Sequence, residues 1–202
     1  TLGKLPDLGE EISLATLNTM CQEIHSIYPP GASITICSDG RIFSELVGVT
    51  DEDVTMYVNE IRKMISEQHL NHLTIINLED VMEGNSFAEL REQILSSYSE
   101  PLEELHSKLV SNDEFKKLFN GIHRFISDDQ KFMYPLYSST RIKEDSKKIA
   151  LKVIQNSNAW TRFLRYVYPK SIRLSIHPYP THASKIGIQL TKATDNWITP
   201  WH

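Results

Sequence analysis

Polar side chains that could do chemistry collect on one face of a predicted strand pair near the end of the sequence. Apolar and polar residues alternate over 172–177 and again over 185–190, which is the period of a β-strand. The connecting PYPTHAS carries two prolines, so two strands joined by a loop, a hairpin-like pair, is the natural interpretation. The polar face consists of Arg173, Ser175, His177, Lys185, Gly187 and Gln189. Two cations, an imidazole, a hydroxyl and a glycine on one face predict an anion pocket with an acid–base group.

A second set of reactive side chains forms the tetrapeptide Ser38-Asp39-Gly40-Arg41. The carboxylate could bind an amine or a sugar hydroxyl, and the guanidinium fork suits a carboxylate or a phosphate. The same residues are also typical of an ordinary hairpin turn, because Asp-Gly is the commonest signal for one. The sequence predicts a turn at Asp39-Gly40, with Ile42 and Phe43 extending beyond it. Local sequence leaves both interpretations open.

The histidines invite a metal interpretation by their number. Those that fall near one another in the sequence or the predicted sheet are His69, His72, His177, His182 and His202. Their spacing matches no closed ligand set, and no cysteine accompanies them. We therefore expect no metal.

The elements that must position these groups alternate between helix and strand. SITIC at 33–37 and HLTIINL at 72–78 predict strands, and Thr50 followed by three acidic residues predicts a helix start between them. Helical patterns cover 12–28, 86–98, 101–110, 113–126 and 140–167. This order predicts an α/β fold, with a mixed, Rossmann-like sheet and helices packed on it.

Ligands of such sheets bind beyond the carboxyl ends of the strands. The tetrapeptide after the first strand and Glu79-Asp80 after the second are therefore the places to expect a site. The two acidic residues could act as acid and base, or equally well begin a helix.

Bulk properties exclude several classes of protein. A formal net charge of −5 does not favour nucleic acid or an anionic membrane as partner. Without a leader or a run of about 18 apolar residues, the chain is expected to be cytoplasmic, with Cys21 and Cys37 reduced and packed in the core. No P-loop, nucleophile elbow or dinucleotide fingerprint is present. At 202 residues, a single domain over 1–202 is the default.

Six segments carry a family resemblance. They are SDGRIFSELVGVTDEDV at 38–54, INLEDV at 76–81, SNAW at 157–160, IRLSIHP at 172–178, KIGIQL at 185–190 and WITPWH at 197–202. Together they resemble the isocyanide synthases, the group that includes the pyoverdine and dityrosine biosynthesis proteins. The resemblance runs in order over about 165 residues, and family members continue past TPWH, so it implies a catalytic domain truncated at its C-terminal side.

The resemblance implies a cofactor-free enzyme of secondary-metabolite biosynthesis. It would convert the α-amino group of an amino acid into an isonitrile, with ribulose 5-phosphate as donor of the single carbon. Condensation of the amine with the sugar ketone requires a phosphate site, a carboxylate site and an acid–base group. A downstream oxygenase domain or enzyme is the expected protein partner.

The matching segments also supply the expected site residues. Catalytic residues would be His177, Asp39 and Lys185, and substrate-binding residues would be Gly40, Arg41, Arg173, Ser175 and His202. His177 is expected to be the principal acid–base residue, with Asp39 as its nearest carboxylate, because the ordinary imidazole pKa of about 6.5 suits proton transfer in both directions.

Two alternatives accompany this interpretation. Tyr179 stands where the family often has a glutamine after LSIHP, and the related spore-wall branch is associated with N-formyl tyrosine, so the formyl product is an alternative to the isonitrile. A non-catalytic module that binds a sugar phosphate or an amino acid is the alternative from a different class.

Overall fold

Two short parallel strands organise the first of two units in the computed structural model, which describes residues 5–175, 185–188 and 190. This first unit takes the described residues within 1–41, 49–83 and 168–202. The second takes 42–48 and 84–167. The elements of the chain up to the second strand are α1 (Leu8–Ile27), β1 (Ile34–Cys37), α2 (Gly40–Val47), α3 (Asp51–Glu67) and β2 (Leu73–Ile76).

Capping side chains set where the first helices begin. The Asp7 carboxylate accepts from the Gly9 backbone N–H at 2.9 Å, and Glu10 reaches back to the Asp7 N–H at 2.9 Å. Thr50 and Asp53 form the same reciprocal box at the start of α3, with the Asp53 N–H 3.0 Å from the Thr50 hydroxyl. Each box satisfies backbone donors that the first helical turn leaves free. The helix start predicted at Thr50 is confirmed.

Strands β1 and β2 run parallel, with Ile34 opposite Leu73 and Cys37 opposite Ile76. Alternate residues of both strands face α1 and α3, and their side chains form part of the apolar core of the first unit. That core includes Leu14, Leu17, Val58, Ile61, Leu70, Leu73 and Ile75. Because the strands are parallel, their carboxyl ends lie at the same edge.

A second parallel pair lies near the end of the described chain. Strands β3 (Leu174–Ser175) and β4 (Ile186–Gly187) pair with Leu174 opposite Ile186 and Ser175 opposite Gly187. The predicted hairpin-like arrangement is wrong, because a hairpin would make the strands antiparallel. Alternation of apolar and polar residues is the same in both cases, so it predicts a strand without its direction.

The second unit is helical. It contains α4 (Phe87–Tyr98), α5 (Leu102–Ser111), α6 (Asp113–Met133) and α7 (Ser139–Val167). Helices α5, α6 and α7 pack around a core of Leu105, Phe119, Ile126, Ala150, Leu151 and Ile154. No helix in the described part of the chain is long and apolar enough to cross a membrane.

The predicted mixed, Rossmann-like sheet with helices packed on it is wrong. The described residues form two sheets of two strands each, both parallel, and most of these residues are helical. The strands at 33–37 and 72–78 do form, but residues 84–167 contribute no strand. The extension predicted beyond the Asp39-Gly40 turn is also wrong, because Ile42 and Phe43 lie within α2. Local periodicity identifies elements but does not count the strands that join a sheet.

Gly40 gives a test of how closely the start of α2 approaches α3. A Cβ on Gly40 would lie 3.0 Å from Val54 Cγ1 and 3.2 Å from its Cγ2, so Gly40→Ala should overpack this contact. We expect the free energy of unfolding to fall by about 1–3 kcal/mol. Urea unfolding followed by circular dichroism measures it.

The matched control is Gly121→Ala within α6, where an added Cβ has nothing within 4 Å. This variant should gain about 0.5–1 kcal/mol from helix propensity. Equal stability of the two alanine variants would contradict the proposed packing.

Candidate active site

The carboxyl ends of β1 and β2 bring two polar segments together. The Ser38 N–H donates to the Ile76 carbonyl at 2.9 Å, which carries the parallel pairing one residue past β1. Residues 38–41 therefore begin beside 77–80, where Leu78–Asp80 form a single 3₁₀ turn. The edge expected from the sequence to carry the site is the edge at which both segments lie.

Asp39 occupies the link between β1 and α2. Its side chain keeps access to solvent, yet surrounding protein atoms raise the pKa of its carboxyl above the ordinary value. Its own backbone N–H and the charge of Lys185 act in the opposite direction. Lys185 is thus a cation whose charge favours the ionised form of this carboxyl.

Arg173 and Lys185 enter the site from the second strand pair. The Ile186 N–H donates to the Arg173 carbonyl and the Ile188 N–H to the Ser175 carbonyl, both at 2.8 Å. Since Ser175 lies opposite Gly187, strand alternation puts Arg173 and Lys185 on that same face. The positive charge of Arg173 acts on the thiol of Cys37. The charges of both cations therefore act on residues at the end of β1.

Cys37 and Tyr168 belong to this neighbourhood, although neither was expected from the sequence to do so. Burial raises the pKa of the Cys37 thiol to about 11 despite the opposing charge of Arg173, so the thiol is neutral near pH 7. Burial also raises the pKa of the Tyr168 phenol, and Cys37 and Asp80 add to the effect. The position of Cys37 as the last residue of β1 is a usable sequence signal, whereas nothing local marks Tyr168.

Arg41 lies beneath the edge instead of in the site. It has no solvent exposure. Its Nε and Nη2 atoms donate to the Glu79 carboxylate at 2.9 to 3.3 Å, and Nη2 also donates to the Thr55 hydroxyl at 2.6 Å. Nη1 donates to the Asp51 carbonyl and lies 3.4 Å from the Asp51 carboxylate. With its donors directed at protein acceptors, Arg41 is better placed to hold the edge together than to bind a substrate.

The other predicted site residues divide into two groups. Gly40 packs against Val54, and Ser175 lies in β3 on the face of Arg173. His177 and His202 lie outside the described residues, as does Gln189. Within the described ranges no three histidine, cysteine or acidic side chains come together as a metal site.

Comparison with known proteins identifies the family. The profile of the family described as pyoverdine/dityrosine biosynthesis protein matches residues 1–202. The chain belongs to this family. The resemblance carried by the six sequence segments is thereby confirmed.

Individual relatives are similar over the whole chain. An L-tryptophan isonitrile synthase of Fischerella ambigua is 44% identical over 201 residues, which are 100% of this chain and 61% of that protein. An L-tyrosine isonitrile synthase of Pseudomonas aeruginosa is 40% identical over 207 residues, which cover 100% of this chain and 62% of that protein. The chain thus spans about three fifths of the length of these curated relatives.

A solved structure is similar in fold. The crystal structure of the PvcA protein from Pseudomonas aeruginosa superposes with a TM-score of 0.91 at 40% identity, over 98% of this chain and 66% of that one. At this level of similarity the family member and the present chain share their fold.

The raised pKa of Asp39 predicts how stability depends on pH. Between the ordinary value of 3.8 and the higher folded value, the folded chain holds a proton that the unfolded chain releases. The contribution of Asp39 to the free energy of unfolding is therefore complete below pH 3.8. This contribution is lost as the pH rises through the pKa of the folded state. Asp39→Asn removes this titration, so wild type should lose stability relative to the variant as pH increases. Urea unfolding across the acidic to neutral range measures the difference.

Lys185→Met provides the complementary change. Removing the charge that favours the ionised carboxylate should make the loss of stability with pH larger than in wild type. If the free energy of unfolding changes with pH in the same way in wild type and in Asp39→Asn, burial does not perturb the pKa of this carboxyl.

Proposed function

We propose that this protein is an isonitrile synthase that acts on an aromatic amino acid, with ribulose 5-phosphate as the donor of the single carbon. Membership of the family and the activities named for the relatives support this proposal. The structural observation that supports it is that the charge of Lys185 acts on Asp39 and the charge of Arg173 acts on Cys37, both at the carboxyl end of β1. The amino-acid class comes from the tryptophan and tyrosine named for the relatives.

The first step of the proposed reaction joins the amine to the sugar ketone. The nitrogen forms a bond to the carbonyl carbon, the π-electron pair moves to oxygen, and a proton passes from nitrogen to that oxygen. Water then leaves with a proton from the Asp39 carboxyl, and a proton from nitrogen returns to the carboxylate, leaving an imine. A carboxyl with a raised pKa is suited to this role because it retains a proton closer to neutrality.

The cations have separate roles in the proposal. Lys185 stabilises the Asp39 carboxylate that remains after proton donation, in keeping with its effect on the Asp39 pKa. Arg173 binds a carboxylate or phosphate through charge-assisted hydrogen bonds, and Ser175 on the same face adds a hydroxyl.

The remaining roles rest on the family resemblance. His177 is proposed as the principal acid–base residue for the later proton transfers, and His202 and Gly40 as substrate contacts. We propose that residues 1–202 act as one catalytic domain that requires no cofactor or metal. The setting is secondary-metabolite biosynthesis in the cytoplasm, with an oxygenase acting on the product.

The activity is tested with uniformly ¹³C-labelled ribulose 5-phosphate and unlabelled tryptophan or tyrosine. A product containing one labelled carbon and an isonitrile group, detected by mass and infrared spectroscopy, is expected with at least one amino acid. Turnover should persist with a chelator present. A formylated amine as the first product would replace the isonitrile assignment, and binding of both compounds without turnover would favour a non-catalytic module.

The residue roles are tested by substitution. Asp39→Asn and His177→Gln should each lower turnover by about 10²- to 10⁴-fold, because each removes a proton-transfer group. Arg173→Met should mainly raise the KM for one anionic substrate. A thermal melt of each variant is the control for folding. Near-normal turnover in a folded Asp39→Asn or His177→Gln variant would refute that residue's assignment.

A further inference from the structure

The segment that presents Asp39 is held at both of its ends. On one side, the Ser38 N–H donates to the Ile76 carbonyl and continues the pairing of β1 with β2. On the other side, Arg41 is buried and anchored. Between them, Gly40 lies so close to Val54 that an added Cβ would be 3.0 Å from the valine Cγ1. Asp39 therefore has little freedom to move its backbone relative to the strands.

The acceptors of Arg41 come from two different elements. Glu79 belongs to the 3₁₀ turn after β2, where the Asn77 side-chain amide also donates to it at 3.2 Å. Asp51 and Thr55 belong to the first turns of α3. One guanidinium thus joins the start of α2 to the end of β2 and to the start of α3.

The energetics of this network favour a positional role. Removing a guanidinium from water is costly, and buried ion pairs frequently add little net stability compared with apolar residues of similar size. A planar fork with five donors does, however, fix the relative orientation of the groups that it contacts. Lysine cannot reproduce that geometry, since its three donors radiate from one atom.

We propose that Arg41 is a positioning residue, which through Glu79, Asp51 and Thr55 sets the position of the Asp39 carboxyl at the carboxyl end of β1. This inference rests on the proposed function for its effect on turnover, but its effect on Asp39 is independent of any activity. It reassigns Arg41 from the substrate contact expected from the sequence to a residue that acts through Asp39.

The test compares Arg41→Lys with wild type by two measurements. The first is ¹³C NMR titration of the Asp39 carboxyl, assigned by its absence in Asp39→Asn. Displacement of Asp39 from the protein atoms that raise its pKa should lower the proton affinity of this carboxyl by about tenfold, back towards its ordinary range. The second is steady-state kinetics, in which kcat should fall by about 10- to 100-fold with KM changed less than about threefold.

Arg62→Lys is the matched control. Arg62 lies on α3 and pairs with Asp80 at 2.5 Å, but its side chain is 42% exposed. The same substitution at this exposed ion pair should leave both the Asp39 titration and kcat at wild-type values. Should Arg41→Lys fail to fold, Thr55→Val, which removes one acceptor of the Arg41 Nη2 atom, takes its place with a smaller shift of the same sign expected.

The outcomes separate the two proposals. A shifted Asp39 titration without isonitrile formation in wild type would support the positioning role and refute the proposed function. An unchanged Asp39 titration in a folded Arg41→Lys or Thr55→Val variant would overturn the positioning role, whatever the activity. Equal effects of Arg41→Lys and Arg62→Lys on the Asp39 titration and on kcat would also overturn it. The effect would then follow from replacing any arginine near this edge and would not be specific to Arg41.

Discussion

The buried guanidinium of Arg41 imposes the constraint on which the edge of the first unit depends. A charge with no access to water must find its acceptors inside the protein, and Arg41 finds them on Glu79, Asp51 and Thr55. The hydrogen-bond donors of this side chain are all paired only when the end of β2 and the start of α3 lie together at the start of α2. The parallel pairing of β1 with β2 supplies the same proximity through the backbone.

The local electrostatics of the site differ from those of the chain as a whole. The net charge is −5, but the cations that act on Asp39 and Cys37 are Lys185 and Arg173. Burial meanwhile raises the pKa of the carboxyl and of the thiol, which favours their neutral forms. An edge on which two cations act suits anionic ligands.

The two units contribute differently to this arrangement. The described side chains of the candidate site come from the first unit, whose two strand pairs provide carboxyl ends and an alternating face. The second unit is a set of packed helices with its own apolar core. Most segments of the family resemblance, including SDGR and KIGIQL, fall in the first unit or begin there, whereas SNAW lies on α7. The family resemblance is thus concentrated in the unit that contains the candidate site.

The sequence alone determined the family, most helices, the two longer strands and the edge where polar residues meet. Such features depend on local periodicity, capping residues and ordered motifs, all of which act over a few residues. Tertiary structure decided the rest: two small parallel sheets, helix α2 after Asp39, and Arg41 buried among acceptors 10 to 38 residues away in sequence. Strand direction, strand count and the burial of a charge depend on contacts between distant segments, and a local pattern is the same whichever contacts form.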